Sequence, residues 1–436
     1  MQKQLVAIGL KNNIMKILWV TNTVFPELAI AIGQKPPVVG GWMYGLANDL
    51  SRTSNIELFV ATARDSTKDE ERKINNITYI LLKGNKPIST YDSILESKWL
   101  SIIDKIKPDA VHIHGTEYAH GLSLMNACPD LNYIISIQGL ISVCARYFIA
   151  NLDSNEIWKN LTFRDIIKQK TLKLEEKEFY QRGEDIEKKY LIKTKNVIGR
   201  TQWDYAHTKI INPDVSYHFC NESLRDVFYT SEKWKIKEHI NTPPTLFLSQ
   251  ASKPLKGLHQ VLKAVYLLKN EFPNIQIRVA GGNIVKSVTF KQKLQITGYG
   301  KYIKRLIKEY NLEKQVTFTG SLNEEQMVNE YLNSSMFICP SSIENSPNSL
   351  GEAQLLGVPV IASYVGGIPD MVTHEETGLL YRFEEVEMLA IEIKRIIEDS
   401  TLTKKIAENG YEAAKKRHSR STNLNQLLTI YKNLTS

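Results

Sequence analysis

Glu344 and Glu352 stand eight residues apart, on either side of a Pro347-Asn348-Ser349 turn. Carboxylates accept hydrogen bonds from vicinal hydroxyls, and a Pro-Asn-Ser start suits the amino end of a helix, with Asn348 or Ser349 able to cap it. Such an end presents unpaired N–H groups and the positive pole of the helix dipole, which suits a phosphate. Glu352 is expected along the first turn of this helix, and Glu344 in the loop before it. Leu356–Ser363 then reads as a buried strand, followed by a glycine loop at Gly366-Gly367. Loop, helix, strand and loop follow in the order a doubly wound sheet uses to bind ligands at strand carboxyl ends. Two glutamates at this spacing are common by chance, and it is this order that gives them meaning. The chemistry it suits is that of a nucleotide sugar, with diphosphate on the helix, ribose at Glu352 and the sugar toward Glu344.

Other residues could join that chemistry. Lys256-Gly257 opens the first helix of the second half, where an ammonium would neutralise a diphosphate as it leaves. Gly40-Gly41 follows the first strand and lets backbone approach a ligand, while Trp42 could stack on a sugar ring or simply enter the core. His114 and Gln138 close the fourth and fifth strands. Gln138 can hydrogen-bond a sugar but cannot titrate near neutral pH. Gly281 ends a strand where backbone could line a nucleotide cleft. His112 and His114 are expected on opposite faces of their strand, so that they could not grip one ion. Gly298-Tyr299-Gly300 lacks a third glycine, and no phosphate loop of the GxxxxGK type is present.

Two series of elements must position these groups. Short β-branched runs at Ile17–Thr21, Leu58–Ala61, Tyr79–Leu82, Ala110–His114, Tyr133–Ile137 and Asn196–Gly199 alternate with helical patterns such as Met43–Ser51 and Ile94–Lys107. After Pro243-Pro244 a second series runs through Thr245–Ser249, Ile275–Ala280, Gln315–Thr319, Met336–Cys339 and Val358–Ala362. Helices Gly257–Asn270 and Lys301–Tyr310 lie between them. Alternation of this kind gives parallel sheets, here in two α/β halves. Asn155–Lys193 reads as one charged helical stretch with Gly183 as its only breaker, and Thr403–Leu434 as one or two helices.

The chain has 436 residues, 42% hydrophobic and 23% charged, with a net charge of +8. That is an ordinary globular composition, long enough for two or three domains and without a run long enough to span a membrane. Residues 1–14 lack the apolar core of a signal peptide and read as an extension before the first strand. The four cysteines show no metal or disulfide spacing and read as reduced thiols, which favours the cytoplasm. No nucleic-acid module appears. The basic balance is compatible with weak contact at an anionic membrane face, or with a merely solvated surface.

The stretch Ser342–Tyr381, with its Glu344, Glu352 and Gly366-Gly367, resembles the donor-site signature of the retaining GT-B glycosyltransferases of family 4 (glycosyl transferases group 1). The likeness covers about forty contiguous residues. It implies two Rossmann-like, doubly wound parallel-sheet domains facing across a cleft. Residues 1–228 would form the acceptor side, 229–412 the nucleotide-sugar side, and 413–436 a helix crossing back. It further implies that Glu344 meets the transferred sugar, that Glu352 binds ribose, and that the Ser349 and Leu350 amides face the diphosphate. Lys256 would stabilise the leaving group, Thr319-Gly320 would lie near the base, and Gly40-Gly41 beside the donor phosphates or acceptor.

Two positions depart from the family pattern. Ala251 stands where an arginine usually serves the phosphates, with Lys253 as a substitute. Gln138 stands where a histidine is usual, and His114 could fill that gap or be a structural histidine. Gly199–Asp204 and Asn221–Arg225 resemble members that build bacterial surface polysaccharides. There Arg200 and Arg225 could meet acceptor phosphate, or form buried ion pairs with Asp204 and Glu222.

The implied reaction is retaining transfer of a sugar from a nucleoside diphosphate sugar to a glycan or lipid-linked acceptor, without metal or other cofactor. The implied setting is the cytoplasm, at the inner membrane face where the acceptor is lipid-linked. A nucleotide-sugar epimerase or hydrolase of the same fold, or a non-catalytic carbohydrate-binding scaffold, is the alternative. Glu344, Lys256 and Glu352 together argue against a scaffold.

Overall fold

Among the described residues fourteen strands carry the architecture, most of them built from Val, Ile, Leu, Phe and Tyr that fit a sheet covered on both faces. The structure, a computed structural model, describes residues 14–37, 40–65, 68–236, 242–287 and 289–435. The expected extension at the amino end therefore lies, up to Asn13, outside the described residues.

The first sheet holds β1 (Met15–Thr21), β2 (Ile56–Asp65), β3 (Glu70–Ile74), β4 (Ile77–Gly84), β5 (Ala110–His114), β6 (Tyr133–Ser136), β7 (Asn196–Gly199) and β8 (Ser216–Phe219). Their order is β3-β4-β2-β1-β5-β6-β7-β8. Strand β1 is parallel to β2 and β5, β2 to β4, and β7 to β8, whereas β3 runs antiparallel to β4.

The second sheet holds β9 (Thr245–Leu248), β10 (Gln276–Ala280), β11 (Val316–Gly320), β12 (Met336–Cys339), β13 (Val360–Ser363) and β14 (Leu379–Tyr381). Its order, β11-β10-β9-β12-β13-β14, is the 3-2-1-4-5-6 arrangement of a doubly wound fold, and every pairing is parallel. The direction of winding reverses between β9 and β12, which is where such sheets open a crevice for ligands.

The chain forms two compact units. One comprises the described residues up to His114, Ala119–Ile135 and the chain from Leu424; the other comprises Gly115–Tyr118 and Ser136–Asn423. The second unit draws in much of the middle of the chain because its core does. Phe148, Leu152, Ile157 and Leu172 are buried in one cluster with Leu246, Leu258, Tyr299 and Ile303. In the first unit the indole of Trp19 donates to the Tyr431 hydroxyl at 2.8 Å, tying the last helix (Arg420–Thr435) to β1.

The charged stretch after Asn155 is not one helix. It breaks into Ser154–Lys159, Phe163–Ile167, Leu172–Arg182 and Lys188–Lys193, because Asp153, Thr162 and Thr171 each cap a new start with their side-chain oxygen. Gly183 does not break it. It begins a π-turn, Gly183–Glu187, in which a Cβ would come within 2.5 Å of Ser142. The two carboxy-terminal helices, Ser400–Arg417 and Arg420–Thr435, part at His418.

Candidate functional site

The switch-point strands deliver the two central side chains. After β9 the chain turns through Pro254–Lys256, and after β12 it passes Pro340 to Glu344. Gly257, at φ +69°, lets these loops meet, since a Cβ there would lie 1.7 Å from the Pro340 carbonyl oxygen. The result is an ion pair. Lys256 Nζ donates to Glu344 Oε1 at 2.5 Å, and the Ser341 hydroxyl donates to the same oxygen at 2.7 Å. Burial works to lower the lysine's pKa, but the adjoining Glu344 carboxylate outweighs it and holds Lys256 above its ordinary value. The glycine loop steadies the Glu344 backbone. Gly367 N–H donates to the Glu344 carbonyl at 3.0 Å, and a Cβ on Gly366 would meet that carbonyl oxygen at 1.9 Å.

The helix that follows runs Asn348–Leu355, one position earlier than a capping Asn348 would need. Pro347 occupies the cap and no side chain bonds to the amides, so neither Asn348 nor Ser349 caps. Leu350 N–H donates to the Pro347 carbonyl at 3.0 Å, while the Asn348 and Ser349 N–H groups find no partner among the described residues. The Asn348 side chain instead reaches Glu222, 3.5 Å away. Glu352 is the fifth residue of this helix, a turn deeper than the first-turn placement expected.

The Glu352 carboxylate is buried, and Oε1 accepts from Arg225 at 2.7 and 3.2 Å. Its other oxygen accepts from the Tyr331 hydroxyl at 3.4 Å. Burial raises its pKa against the opposing pull of Arg225.

Glu222 is the hub of a second network. It pairs with the Arg200 guanidinium and accepts from Gln138 Nε2 at 2.8 Å, close to Asn348. Arg200 also donates to the carbonyls of Ile137 and Gln138, and its own N–H donates to Asp204 at 3.0 Å. Asn345 bridges to the same group, donating to Asp204 at 2.9 Å and accepting from Thr201 at 2.7 Å. Arg200, Gln138 and Asn348 are thus brought together, and Arg225 joins Glu352 rather than Asp204 or Glu222. Lys253 is engaged by Glu175 at 2.5 Å, and Ala251 is buried.

At the ends of β10 and β11, Gly281 N–H donates to the Gly320 carbonyl at 2.8 Å, and Thr319 bonds the Val279 carbonyl at 3.4 Å. A Cβ on Gly281 or Gly320 would meet nothing within 4 Å, so space lies in front of them. Among the described residues no hydrogen bond links them to Lys256, Glu344 or Glu352.

In the first unit the order reverses between β1 and β5. Gly40, at φ +86°, precedes the helix Gly41–Ser51, and the half-buried Trp42 ring lies 5.6 Å from that of His114. His114 is buried, 4.3 Å from Trp19, with neither ring nitrogen hydrogen-bonded. Burial, with His112 and His120 beside it, holds its pKa well below the ordinary value, so the ring is neutral at physiological pH. The expectation that His112 and His114 face opposite ways is corrected: their rings stack 3.9 Å apart. Strand side chains alternate, so residues two apart share a face. Among the described residues, no three metal-ligating side chains gather.

Sequence reasoning missed Glu117 and Glu187. Glu187 is fully buried, accepting from the Ile141 and Ser142 amides at 2.7 and 3.1 Å, and burial raises its pKa to about 7. Burial likewise raises the pKa of Glu117, one of whose oxygens has no partner. Neither stands in a motif, and only the fold reveals them.

The sequence profile of the family described as Glycosyl transferases group 1 matches residues 230–413. An uncharacterised glycosyltransferase of Bacillus subtilis is 27% identical over 203 residues, 47% of this chain and 52% of that protein. The capsular polysaccharide biosynthesis glycosyltransferase CapM of Staphylococcus aureus is 25% identical over 177 residues, 40% of this chain and 42% of that protein. The matched stretches thus span about half, or less, of these relatives' lengths.

Sucrose-phosphate synthase of Thermosynechococcus elongatus superposes with a TM-score of 0.68 at 18% identity, covering 96% of this chain and 99% of that one. Anabaena Alr3699/HepE, in complex with UDP and glucose, gives 0.61 at 15% identity, covering 96% and 99%. These likenesses establish the fold, GT-B, and Lys256, Glu344 and Glu352 lie within the stretch that the family profile matches.

Proposed function

We propose that the protein is a retaining glycosyltransferase that moves a sugar from a nucleoside diphosphate sugar to a hydroxyl of a glycan or lipid-linked acceptor in the synthesis of a bacterial surface polysaccharide. The observation that carries this is the partnerless amino end of the helix Asn348–Leu355, with the Lys256–Glu344 pair at the loop before it. The names of the relatives support the transferase reading and the capsular setting, and the UDP complexes of the structural neighbour support a nucleotide-sugar donor.

In this reading the diphosphate meets the Asn348 and Ser349 amides. Lys256 neutralises the charge that develops as the anomeric carbon–oxygen bond breaks. Glu344 receives sugar hydroxyls, and an oxygen of Glu352 receives the ribose. The acceptor oxygen forms the new bond on the face the phosphate leaves, its proton passes to the departing phosphate oxygen, and a nucleoside diphosphate is released. Gln138 sits as a hydrogen-bonding group where a proton carrier is not needed. The three ion pairs Lys256–Glu344, Arg200–Glu222 and Arg225–Glu352 match charge for charge, so an anionic donor draws on the helix amides as well as on Lys256. No metal or cofactor enters the scheme.

Among the described residues no helix is long and apolar enough to cross a membrane. A thermal-shift panel of UDP-, GDP- and ADP-sugars, followed by product analysis with the donor that responds, tests the reading. Transfer to a sugar or lipid acceptor supports it. An epimerised or hydrolysed donor, or no response to any donor, refutes it.

A further inference from the structure

Between Trp158 and Ile167 four large apolar side chains face solvent: Trp158 is 71% exposed, Phe163 65%, Ile166 62% and Ile167 62%. Single exposed apolar residues are ordinary, but four within ten residues are not. They are not the product of a loose segment. Phe163, Ile166 and Ile167 lie at i, i+3 and i+4 of the helix Phe163–Ile167 and so share one face. Asp165, on the other side of that helix, is buried and accepts from Gly298 N–H at 2.7 Å. Lys301 Nζ donates to the carbonyls of Lys159 and Leu161 at 3.0 and 3.3 Å, and Glu156 is paired with Arg305. Ile157 is buried beneath Trp158 in sequence, so the tryptophan is held outward. The segment is pinned from below while it displays its apolar groups.

The charge around it is mainly basic, with Lys159 paired to Glu156 at 3.8 Å and Arg164 to Asp165 at 3.4 Å. From Ile157 to Thr171 the basic residues are Lys159, Arg164, Lys168 and Lys170, and the single acid is the buried Asp165. Lys168 and Lys170 have no acidic partner among the described residues, and Arg164 and Lys170 also line a cavity of about 500 Å³ with Asp165, Glu175, Lys253 and Lys286. A tryptophan and aliphatic groups surrounded by lysines match the interface of a bilayer, where rings and methyl groups enter the headgroup boundary and ammonium groups meet lipid phosphates.

We propose that residues 158–170 form a docking surface for an anionic lipid membrane. This deepens the membrane-side part of the proposed function and rests on that reading only for its purpose. The occupant is a lipid surface rather than a second copy, because the patch carries an excess of basic charge in Lys168 and Lys170, and a second copy would set lysine against lysine.

The full-length protein is floated with phosphatidylcholine vesicles with and without phosphatidylglycerol, in the absence of donor and acceptor. The proposal expects capture by the phosphatidylglycerol vesicles and a loss with added salt. It expects at least about a tenfold fall in partitioning for W158S/F163S/I166S/I167S and for K168E/K170E, at unchanged melting temperature. Capture by neither vesicle, equal capture by both, or variants that bind like the wild type would overturn it. So would a dimer in solution that the quadruple variant dissociates while vesicles capture nothing. Since no sugar is present, a failure here leaves the transferase reading standing, and a protein that docks but transfers nothing overturns that reading alone.

Discussion

Lys256 and Glu344 touch at 2.5 Å although they follow different strands, β9 and β12, and both side chains are largely buried. These are the strands between which the winding of the second sheet reverses, so topology alone brings the ammonium and the carboxylate to the crevice. The pairing keeps Lys256 charged in spite of its burial.

If that charge serves the leaving phosphate, Lys256→Ala should cost turnover more than donor affinity. Removing one preorganised stabilising group typically lowers kcat by about 10²–10³-fold. Steady-state kinetics with the donor found by the thermal-shift panel should show that fall with a smaller change in KM, and Lys256→Arg should recover part of it. Wild-type turnover in Lys256→Ala would remove the residue from the reaction.

Arg225 and Glu352 should behave as a unit in stability and as unequal partners in binding. Glu352→Ala leaves a mostly buried guanidinium uncompensated, at a cost on the order of 3 kcal/mol. It should also weaken nucleoside diphosphate binding. The double variant R225M/E352M should recover much of the stability, read by thermal denaturation, but none of the ligand affinity, read by calorimetry. Recovery of both would assign Glu352 to structure alone.

Glu187 gives the protein a pH dependence. Its pKa is raised from 4.5 in the unfolded chain to about 7 in the folded protein. Between those values the folded state keeps a proton that the unfolded state releases, so stability falls as pH rises through this window, by up to about 3 kcal/mol. Melting temperatures measured from pH 5 to pH 8 should therefore fall more steeply for the wild type than for Glu187→Gln. Parallel slopes would show that Glu187 holds no such proton.

If the positive charge comes from Lys256 and backbone amides, turnover should persist after treatment with EDTA and extensive dialysis. Activity that disappears and returns with a divalent cation would require a different leaving-group stabiliser.

Much of the fold was legible in the sequence. Ala110–His114, Asn196–Gly199 and Met336–Cys339 are strands with the very limits that their apolar runs suggest. The strands that escaped notice all lie at the edges of their sheets. β3, Glu-Glu-Arg-Lys-Ile, is a charged edge strand, β8 is a half-exposed edge, and β14 is three residues long. Glu344 and Glu352 stood out because the motif around them is contiguous, whereas Lys256, 88 residues before Glu344, was picked out by its own Lys256-Gly257 pair. Their partners were only partly legible. That Glu222 gathers Gln138 and Asn348, or that Arg225 seizes Glu352, depends on segments 84, 126 and 127 residues apart meeting, which local pattern cannot reveal. The stacked histidines were misread from a simple periodicity, and Glu117 and Glu187 needed burial to be noticed.

The central claim is that the amino end of the helix Asn348–Leu355 holds the donor's diphosphate, and a proline can test it. Proline is favoured at the first helical position, and Pro347 before it already has extended backbone, so Asn348→Pro deletes one N–H without disturbing the helix. Asn348→Ala removes the same side chain and keeps the N–H. Calorimetric titration of both with the responding nucleoside diphosphate should show Asn348→Pro binding at least about tenfold more weakly, at equal melting temperature. Equal affinities in the two variants would contradict the account.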